Sequence, residues 1–298
     1  MGGEGRWFGL LLLAQVLVGA AAIFARFALT GADALAVSAL RLALAGGPLL
    51  AWALARRRLK RLDRSLEAGF AAAGALLALH FVTWIASLGA IPVAISTLLV
   101  CTAPVWNTLY DRVAEGRRPG ARFWGASLLA LAGLGLVCSG PSRGTANPAW
   151  IRGCALATAG GMAMAAYLVL VQKLDRRAGG VPTLGIVART YAWAALGLVG
   201  AAALAGSPPP ALGDRPAWMG ILGMALVSQM GGHSLLNAAV RRIPAVTVAF
   251  TTLLEPVCAG LLAALVFGER LGPAMVAGGA LILAGVVLCL WPGRRVAC

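Results

Sequence analysis

Ten apolar runs, each close to the length of a helix that crosses a bilayer, divide this 298-residue sequence. About 20 mostly apolar residues are needed to cross the hydrocarbon core, where a helix satisfies all its backbone polar groups internally. The runs are joined by short connections, which leave no room for a soluble domain. The predicted spans are residues 7–29, 33–55, 66–89, 93–112, 121–139, 149–173, 181–205, 216–240, 244–267 and 271–291.

Composition and charge agree with an all-α membrane protein. The chain is 60% hydrophobic and 12% charged, whereas soluble domains carry about 25% charged residues. A net charge of +15 would suggest nucleic-acid binding in a soluble protein, but the basic residues here lie in short loops between apolar runs. We therefore expect the lipid bilayer as a partner and no nucleic acid. The six cysteines form no CxxC pair, and we expect neither a metal site nor a cofactor.

The distribution of Lys and Arg predicts the orientation. One side of the predicted membrane holds 18 of the 25 basic residues and the other side holds five, while Arg41 and Arg189 fall inside spans. Basic residues are retained on the cytoplasmic side. We therefore predict a multi-pass protein of the cytoplasmic (inner) membrane with both termini in the cytoplasm.

An internal repeat relates two parts of the chain. The segment IPVAISTLLVCTAPV, which starts at residue 91, aligns with IPAVTVAFTTLLEPV, which starts at residue 243, at a constant offset of 152 residues. Residues that match at this offset include Pro92 with Pro244, Pro104 with Pro256 and Gly133 with Gly285.

The repeat predicts two five-helix halves, residues 1–142 and 143–298. The only two histidines, His80 and His233, also pair across it. Because five is odd, the second half enters the membrane from the opposite side, as in the inverted-topology repeats of secondary transporters. The fold prediction is thus ten transmembrane helices in two inverted five-helix repeats, with a substrate site between them.

Several motifs resemble the drug/metabolite transporter superfamily, in its EamA-type branch of ten-helix carriers. The resembling segments are Pro104-Val105, Glu255-Pro256-Val257, Gly268-Glu269-Arg270-Leu271 and Ala284-Gly285-Val286. The first half departs from the pattern, since Ala103 stands where the second half has Glu255. The intramembrane His80 and the tryptophan-rich spans look most like the YddG-type exporters of aromatic amino acids. The resemblance implies export of amino acids, other metabolites or cationic drugs.

Glu255 is the acidic residue in the middle of a predicted span, 12 residues into the ninth helix. An unpaired carboxylate at that depth is costly, so it should face a cavity or carry a proton. It is either a site for a coupling proton or a substrate amine, or a structural partner for an arginine or for backbone groups freed by Pro256.

Other polar and aromatic residues inside spans are candidates for lining a substrate cavity. His80 and Trp84 lie one turn apart on one helix face, and Gln229, His233 and Asn237 share another. Either histidine could instead make only an interhelical hydrogen bond. The predicted cavity-lining set is Gln15, His80, Trp84, Trp106, Tyr167, Gln229, His233, Asn237 and Glu255.

A second group is assigned to scaffold or hinge roles. Arg41 and Arg189 lie in the second helix of each half, and this pairing favours a structural role over contact with a substrate carboxylate. Pro104 and Pro256 are each expected to remove one backbone hydrogen bond and kink their helices, whereas Pro92 and Pro244 lie at helix starts, where proline fits. The scaffold and hinge set is Pro92, Pro104, Pro244, Pro256, Arg41 and Arg189.

These patterns predict a secondary transporter and not an enzyme. It would export small, largely apolar solutes, with amino acids and especially aromatic ones as the first expectation, by alternating access. The driving force would be the gradient of the substrate itself, either alone or with protons as a coupling ion. The sequence contains no GxxxxGK[ST] nucleotide motif and no HExxH. An intramembrane hydrolase using Ser234 beside His233 is disfavoured because adjacent residues point apart on a helix. A channel is disfavoured because channels show rings of like residues from symmetric subunits.

Overall fold

The computed structural model describes residues 2–59, 61–103, 105–106, 109–110, 120–138, 147–179, 181–233, 235 and 254–290. Within these ranges the regular structure is entirely helical. Pro104, Asn237, Pro244 and most of the second copy of the repeat lie outside the described residues.

Ten helices occupy the positions of the predicted spans within the described chain. The eighth continues directly into a π-helical segment, Gly223–Gly232. The helices are α1 (Gly2–Ala28), α2 (Ala34–Ala55), α3 (Arg64–Leu88), α4 (Val93–Val100), α5 (Ala121–Cys138), α6 (Pro148–Ala178), α7 (Thr183–Ala205), α8 (Arg215–Leu222), α9 (Glu255–Phe267) and α10 (Pro273–Leu290).

Five of these helices are long and apolar enough to cross a membrane, with spans at Gly9–Ala28, Ala34–Ala55, Arg64–Leu88, Pro148–Ala178 and Leu184–Ala205. Parts of α5, α9 and α10 are apolar over shorter lengths. Large apolar side chains such as Leu204 and Leu265 are almost fully exposed on the outer surface. Exposed apolar surface of this kind is suited to contact with lipid.

Polar side chains in the connections begin several helices. Asp33, Asp63 and Asp214 accept hydrogen bonds from backbone N–H groups in the first turns of α2, α3 and α8. Asn147 does the same for α6. These first-turn N–H groups have no partner within the helix, so a side-chain acceptor stabilises the helix start.

The principal contacts between helices pair the first five with the last five. α5 packs against α10, α2 against α7, α3 against α6 and α7, α1 against α8 and α9, and α4 against α6 and α9. α2 also contacts α8 and its π segment. Adding five to both helix numbers of a pair, with α1 counted as following α10, gives another pair of the same set. The pair of α1 with α9, for example, corresponds to the pair of α6 with α4.

Two repeat-related glycines make reciprocal contacts between α5 and α10. A Cβ on Gly133 would lie 2.5 Å from the carbonyl oxygen of residue 278 and 2.8 Å from the amide nitrogen of residue 282. A Cβ on Gly285 would lie 2.7 Å from the carbonyl oxygen of residue 126 and 2.9 Å from the amide nitrogen of residue 130. Residues 126 and 278 are themselves 152 positions apart in the sequence, and so are residues 130 and 282. The two helices therefore run antiparallel, with each glycine admitting the backbone of the other helix.

Turns lie at two positions that the repeat relates, one after α4 and one before α9. α4 ends at Val100, and the next two residues, ending at Thr102, form a turn. α9 begins at Glu255 directly after the turn residue Leu254, which is 152 residues beyond Thr102. Each turn lies two residues before a proline position, consistent with proline's inability to extend a helix on its N-terminal side.

Two proline positions can be compared with the sequence prediction. Pro256, expected to kink the middle of a span, lies in the first turn of α9, where its missing N–H breaks no helical hydrogen bond. Pro92 immediately precedes α4 and serves as its N-cap residue.

Candidate functional site

Arg41 of α2 is the charged group at the centre of the buried polar residues. Only 1% of its surface is exposed. Its Nε and Nη2 atoms donate to Oε1 of Gln229 over 3.2 and 2.6 Å, so the planar guanidinium holds one amide oxygen with two hydrogen bonds. The guanidinium carbon lies 4.1 Å from the ring centroid of Phe81 and 5.6 Å from that of Trp84. Aromatic faces stabilise a cation at these distances.

Gln229 connects Arg41 to Tyr191 of α7. Its Nε2 donates to the Tyr191 hydroxyl, and all three side chains are buried. Gln229 lies in the π segment, although the sequence predicted one continuous α-helix over residues 216–240. Such π segments are uncommon and occur often at functional sites.

His80 and Trp84 form one wall of this cluster. The Nδ1 of His80 lies 2.9 Å from the carbonyl oxygen of Gly160 on α6. A carbonyl only accepts, so Nδ1 carries a proton and donates to it. The rings of His80 and Trp84 are parallel within 3°, with centroids 6.2 Å apart. The indole nitrogen of Trp84 is buried and has no hydrogen-bond partner within the described chain.

Gly160 and Gly161 permit α6 to approach this wall closely. A Cβ on Gly160 would lie 3.1 Å from the Thr83 hydroxyl, and one on Gly161 would lie 3.1 Å from the carbonyl oxygen of Val100. These glycines therefore let α6 pack closely against α3 and α4, as small residues commonly do between membrane helices.

Glu255 and His233 both lie near Arg41. The Glu255 carboxyl is within electrostatic range of Arg41, and His233 is within range of both Arg41 and His80. Arg41 and Glu255 nonetheless form no ion pair, and their side chains share no hydrogen bond. Glu255 is the first residue of α9, where the helix dipole favours a negative charge.

Gln15 of α1 faces this region from another side. It is fully buried, and neither its amide nitrogen nor its amide oxygen has a hydrogen-bond partner among the described residues. One turn further along α1, a Cβ on Gly19 would lie 3.3 Å from the backbone oxygen of Glu255. A buried unpaired amide is costly, so Gln15 is a polar group that a ligand or water could satisfy.

Two other predicted lining residues lie in different surroundings. Tyr167 of α6 is half-buried and packs against the hydrophobic core that contains Trp84 and Tyr191. Trp106 donates through its indole nitrogen to the Thr102 hydroxyl over 3.0 Å. It lines an apolar cavity of about 140 Å³ beside α5, and that cavity includes none of the residues around Arg41.

The two intramembrane arginines have different partners. Arg189 of α7 forms an ion pair with Glu67 of α3, with 3.2 Å between Nε and Oε2. The other oxygen of Glu67 accepts from the Trp193 indole nitrogen over 2.9 Å. The structure thus places Arg189 in an acid-paired link between α3 and α7, and Arg41 in the buried cluster.

The structure therefore brings His80, Trp84, Gln229, His233 and Glu255 into the surroundings of Arg41. Tyr167 packs against the same hydrophobic core, and Gln15 is buried one turn from the contact of α1 with Glu255. The sequence analysis assigned Arg41 to the scaffold, and its predicted lining set does not include Tyr191 or Phe81. Arg41 could have been selected as a site residue, because it is a single charged residue inside an apolar span. No pattern in the sequence distinguishes Tyr191 or Phe81 from other core aromatics.

Comparison with known proteins identifies the family. The sequence matches the EamA-like transporter family over residues 5–139 and again over residues 151–291. The chain belongs to the EamA-like transporter family. This family lies within the drug/metabolite transporter superfamily, in agreement with the resemblance noted from the sequence motifs. The protein is accordingly a membrane-embedded transporter of helical fold, and the family points away from an enzyme.

A relative and a solved structure agree with this EamA-like assignment. An uncharacterized transporter of Archaeoglobus fulgidus is 28% identical over 283 residues, which cover 93% of this chain and 94% of that protein. A protein of known crystal structure is 20% identical and superposes with a TM-score of 0.61 over 95% of this chain and 96% of its own. The structural likeness shows a shared fold.

Proposed function

We propose that this EamA-like transporter exports small, largely apolar solutes by alternating access, and that amino acids, especially aromatic ones, are its substrates. The observation that carries the proposal is the buried cluster around Arg41. It combines charged and amide groups with the aromatic faces of Phe81 and Trp84 in the interior of an otherwise apolar helical protein. Binding sites for small molecules typically combine apolar walls with a few fixed polar groups.

Alternating access requires two bodies that move relative to each other. We infer that these are residues 1–142 and 143–298, arranged as inverted repeats. The two separate family matches, the antiparallel contact of Gly133 and Gly285, and the exchange of partners among the principal helix contacts support this division. The cluster takes side chains from both parts, as expected for a site between inverted repeats.

The orientation in the membrane follows from the charge distribution. We propose that the protein spans the cytoplasmic membrane ten times with both termini in the cytoplasm. The loop between α2 and α3, with six basic residues in 56–64, would then be cytoplasmic. The loop between α1 and α2, which contains Asp33, would lie on the opposite side.

Counterflow in proteoliposomes tests the transport proposal. Vesicles containing the protein are loaded with unlabelled phenylalanine, tyrosine, tryptophan, leucine or alanine, and uptake of the labelled amino acid is followed. We expect accelerated exchange, greatest for the aromatic members, and none in protein-free vesicles. Failure to exchange any member of this panel would reject amino acids as substrates.

The same assay tests a proton role for Glu255. The measurement compares exchange and net flux with and without an imposed pH gradient, in the wild type and in Glu255→Gln. If protons are coupled through Glu255, the gradient drives net flux only in the wild type. A variant with unchanged flux and pH response would exclude that role.

A further inference from the structure

Among the described residues, no acidic side chain is in direct contact with the charge of Arg41. Its two short hydrogen bonds go to the neutral oxygen of Gln229, and within the same part of the chain its Nη1 atom has only the Met224 sulfur at 4.0 Å. A thioether is a weak acceptor. Arg189 shows the contrasting arrangement, since Glu67 lies within ion-pair distance of it.

An almost fully buried guanidinium needs compensation for its lost hydration. The faces of Phe81 and Trp84 supply part of it, and the amide oxygen of Gln229 supplies more. Neither of these contributions uses the donors on Nη1. The arrangement therefore retains hydrogen-bonding capacity for an anionic group next to an aromatic wall.

The opposite charge comes from the other side of the cluster. Glu255 reaches this region through α1, where Gly19 contacts it and the adjacent Val18 contacts Gly232 of the π segment that carries Gln229. Its side chain forms neither an ion pair nor a hydrogen bond with Arg41, so the two groups are separated. Two further polar groups in this region lack partners within the described chain. These are the Trp84 indole N–H, which only donates, and the Gln15 amide, which both donates and accepts.

We propose that Arg41 binds the carboxylate of the substrate and Glu255 binds its ammonium group, so that the site selects zwitterionic α-amino acids. The inference rests on the proposed transport function and assigns the two ends of its substrate. Trp84 and Phe81 then contact the side chain, and the Gln15 oxygen is a second acceptor for the ammonium. Arg41 thereby becomes a specificity-determining residue rather than part of the scaffold.

Three probes that share one aromatic body test this assignment. Phenylalanine carries both charges, phenethylamine lacks the carboxylate, and 3-phenylpropionate lacks the amine. Binding to the purified full-length protein in detergent is measured by calorimetry. We expect the wild type to bind phenylalanine at least about tenfold more tightly than either single-charge probe, since a buried unpaired charge opposes their binding.

Gln229→Glu is the informative variant because it places a carboxylate where Arg41 already donates two hydrogen bonds. The two side chains are nearly the same size. We expect phenylalanine affinity to fall at least about tenfold, while phenethylamine binding is retained or strengthened. Glu255→Gln should reverse the preference between the single-charge probes, favouring 3-phenylpropionate.

Glu67→Gln is the matched control, since it makes the converse exchange at the other intramembrane arginine and should leave the order of the three probes unchanged. Arg41→Lys keeps the charge but loses the planar fork, and it replaces Gln229→Glu if that variant does not fold. It should weaken phenylalanine and 3-phenylpropionate binding without affecting phenethylamine.

Equal wild-type affinity for phenylalanine and phenethylamine, no binding of any probe, or full phenylalanine affinity in Gln229→Glu would each overturn the inference. Counterflow of phenethylamine by the wild type, without a preference for phenylalanine, would do the same while leaving the transport function intact. Conversely, the expected order of binding without any counterflow would reject transport of these compounds but retain the assignment of Arg41 and Glu255.

Discussion

Arg26 and Glu269 form an ion pair between the end of α1 and the segment that follows α9, with 3.4 Å between Nη1 and Oε1. The same Arg26 atom donates to the carbonyl oxygen of Leu88 over 3.0 Å, and the other oxygen of Glu269 accepts from the amide of Val93 over 2.9 Å. The Arg26 guanidinium also lies over the Phe267 ring. One pair of charges thus holds together the ends of α1, α3 and α9 and the start of α4.

Glu269→Gln should loosen this junction without unfolding the protein. The amide retains an oxygen for Val93 but loses the charge facing Arg26. Partly exposed ion pairs contribute about 0.5–1 kcal/mol, which corresponds to roughly a two- to fivefold change in local opening. Hydrogen exchange of residues 88–93 should accelerate by that factor. Glu67→Gln is the control and should leave exchange in this segment unchanged.

Glu67→Ala should destabilise the protein more than Glu67→Gln. Alanine leaves both Arg189 and the Trp193 indole without the acceptor that Glu67 supplies, whereas glutamine still offers an oxygen. Because about a third of the Glu67 side chain is exposed, we expect a loss of about 1 kcal/mol for alanine and less for glutamine. Unfolding midpoints in mixed micelles provide the measurement. Equal midpoints for the two variants would contradict the proposed importance of the Trp193 hydrogen bond.

Gly133→Ala and Gly285→Ala should each destabilise the contact between α5 and α10. The added Cβ would lie under 3 Å from backbone atoms, which cannot rotate away as a side chain can. Overpacking of this kind costs about 1–3 kcal/mol. Gly135 has nothing within 4 Å of its Cβ position, so Gly135→Ala on the same helix is the control. Thermal unfolding should separate the three variants, and equal midpoints for Gly133→Ala and Gly135→Ala would count against the close contact.

Asp33 should make stability dependent on pH in the acidic range. Burial alone would raise the pKa of Asp33, but the Ser207 hydroxyl and the amide groups of Ala36 and Leu35 donate to its carboxylate and lower the pKa overall. A lowered folded-state pKa gives stability that is present above the unfolded value of about 3.9 and is lost as pH falls through the folded value.

The test compares unfolding midpoints of the wild type and Asp33→Asn between neutral pH and about pH 3. Asparagine also caps helices, so we expect a small change at neutral pH and a shallower loss in acid. Ser207→Ala should move the acid loss to higher pH because it removes one donor. Identical acid profiles for all three proteins would exclude this contribution of Asp33.

Much of the helical framework could be predicted because bilayer thickness and backbone hydrogen bonding fix the length of an apolar span. The predicted spans 33–55 and 181–205 correspond to Ala34–Ala55 and Thr183–Ala205. The glycines matched by the repeat also proved informative, since Gly133 and Gly285 form the same contact from opposite sides.

The separate roles of Arg41 and Arg189 could not be predicted, because their partners lie on other helices. Gln229 is 188 residues from Arg41, and Glu67 is 122 residues from Arg189. The cavity that Trp106 lines could not be predicted either. Helical spacing shows which residues share a face of a helix, but not which face meets the protein interior. The π segment could not be predicted, because the apolar pattern of its residues does not distinguish it from an α-helix.

The contact between α5 and α10 is self-complementary, because Gly133 leaves room for the backbone of α10 and Gly285 leaves room for the backbone of α5. Symmetric dimers use such isologous interfaces, in which one surface meets a second copy of itself. Here a single polypeptide contains both copies. A chain of five helices would therefore carry only half of this interface. In the proposed inverted arrangement, the covalent link between the halves would fix both their one-to-one stoichiometry and their opposite orientation.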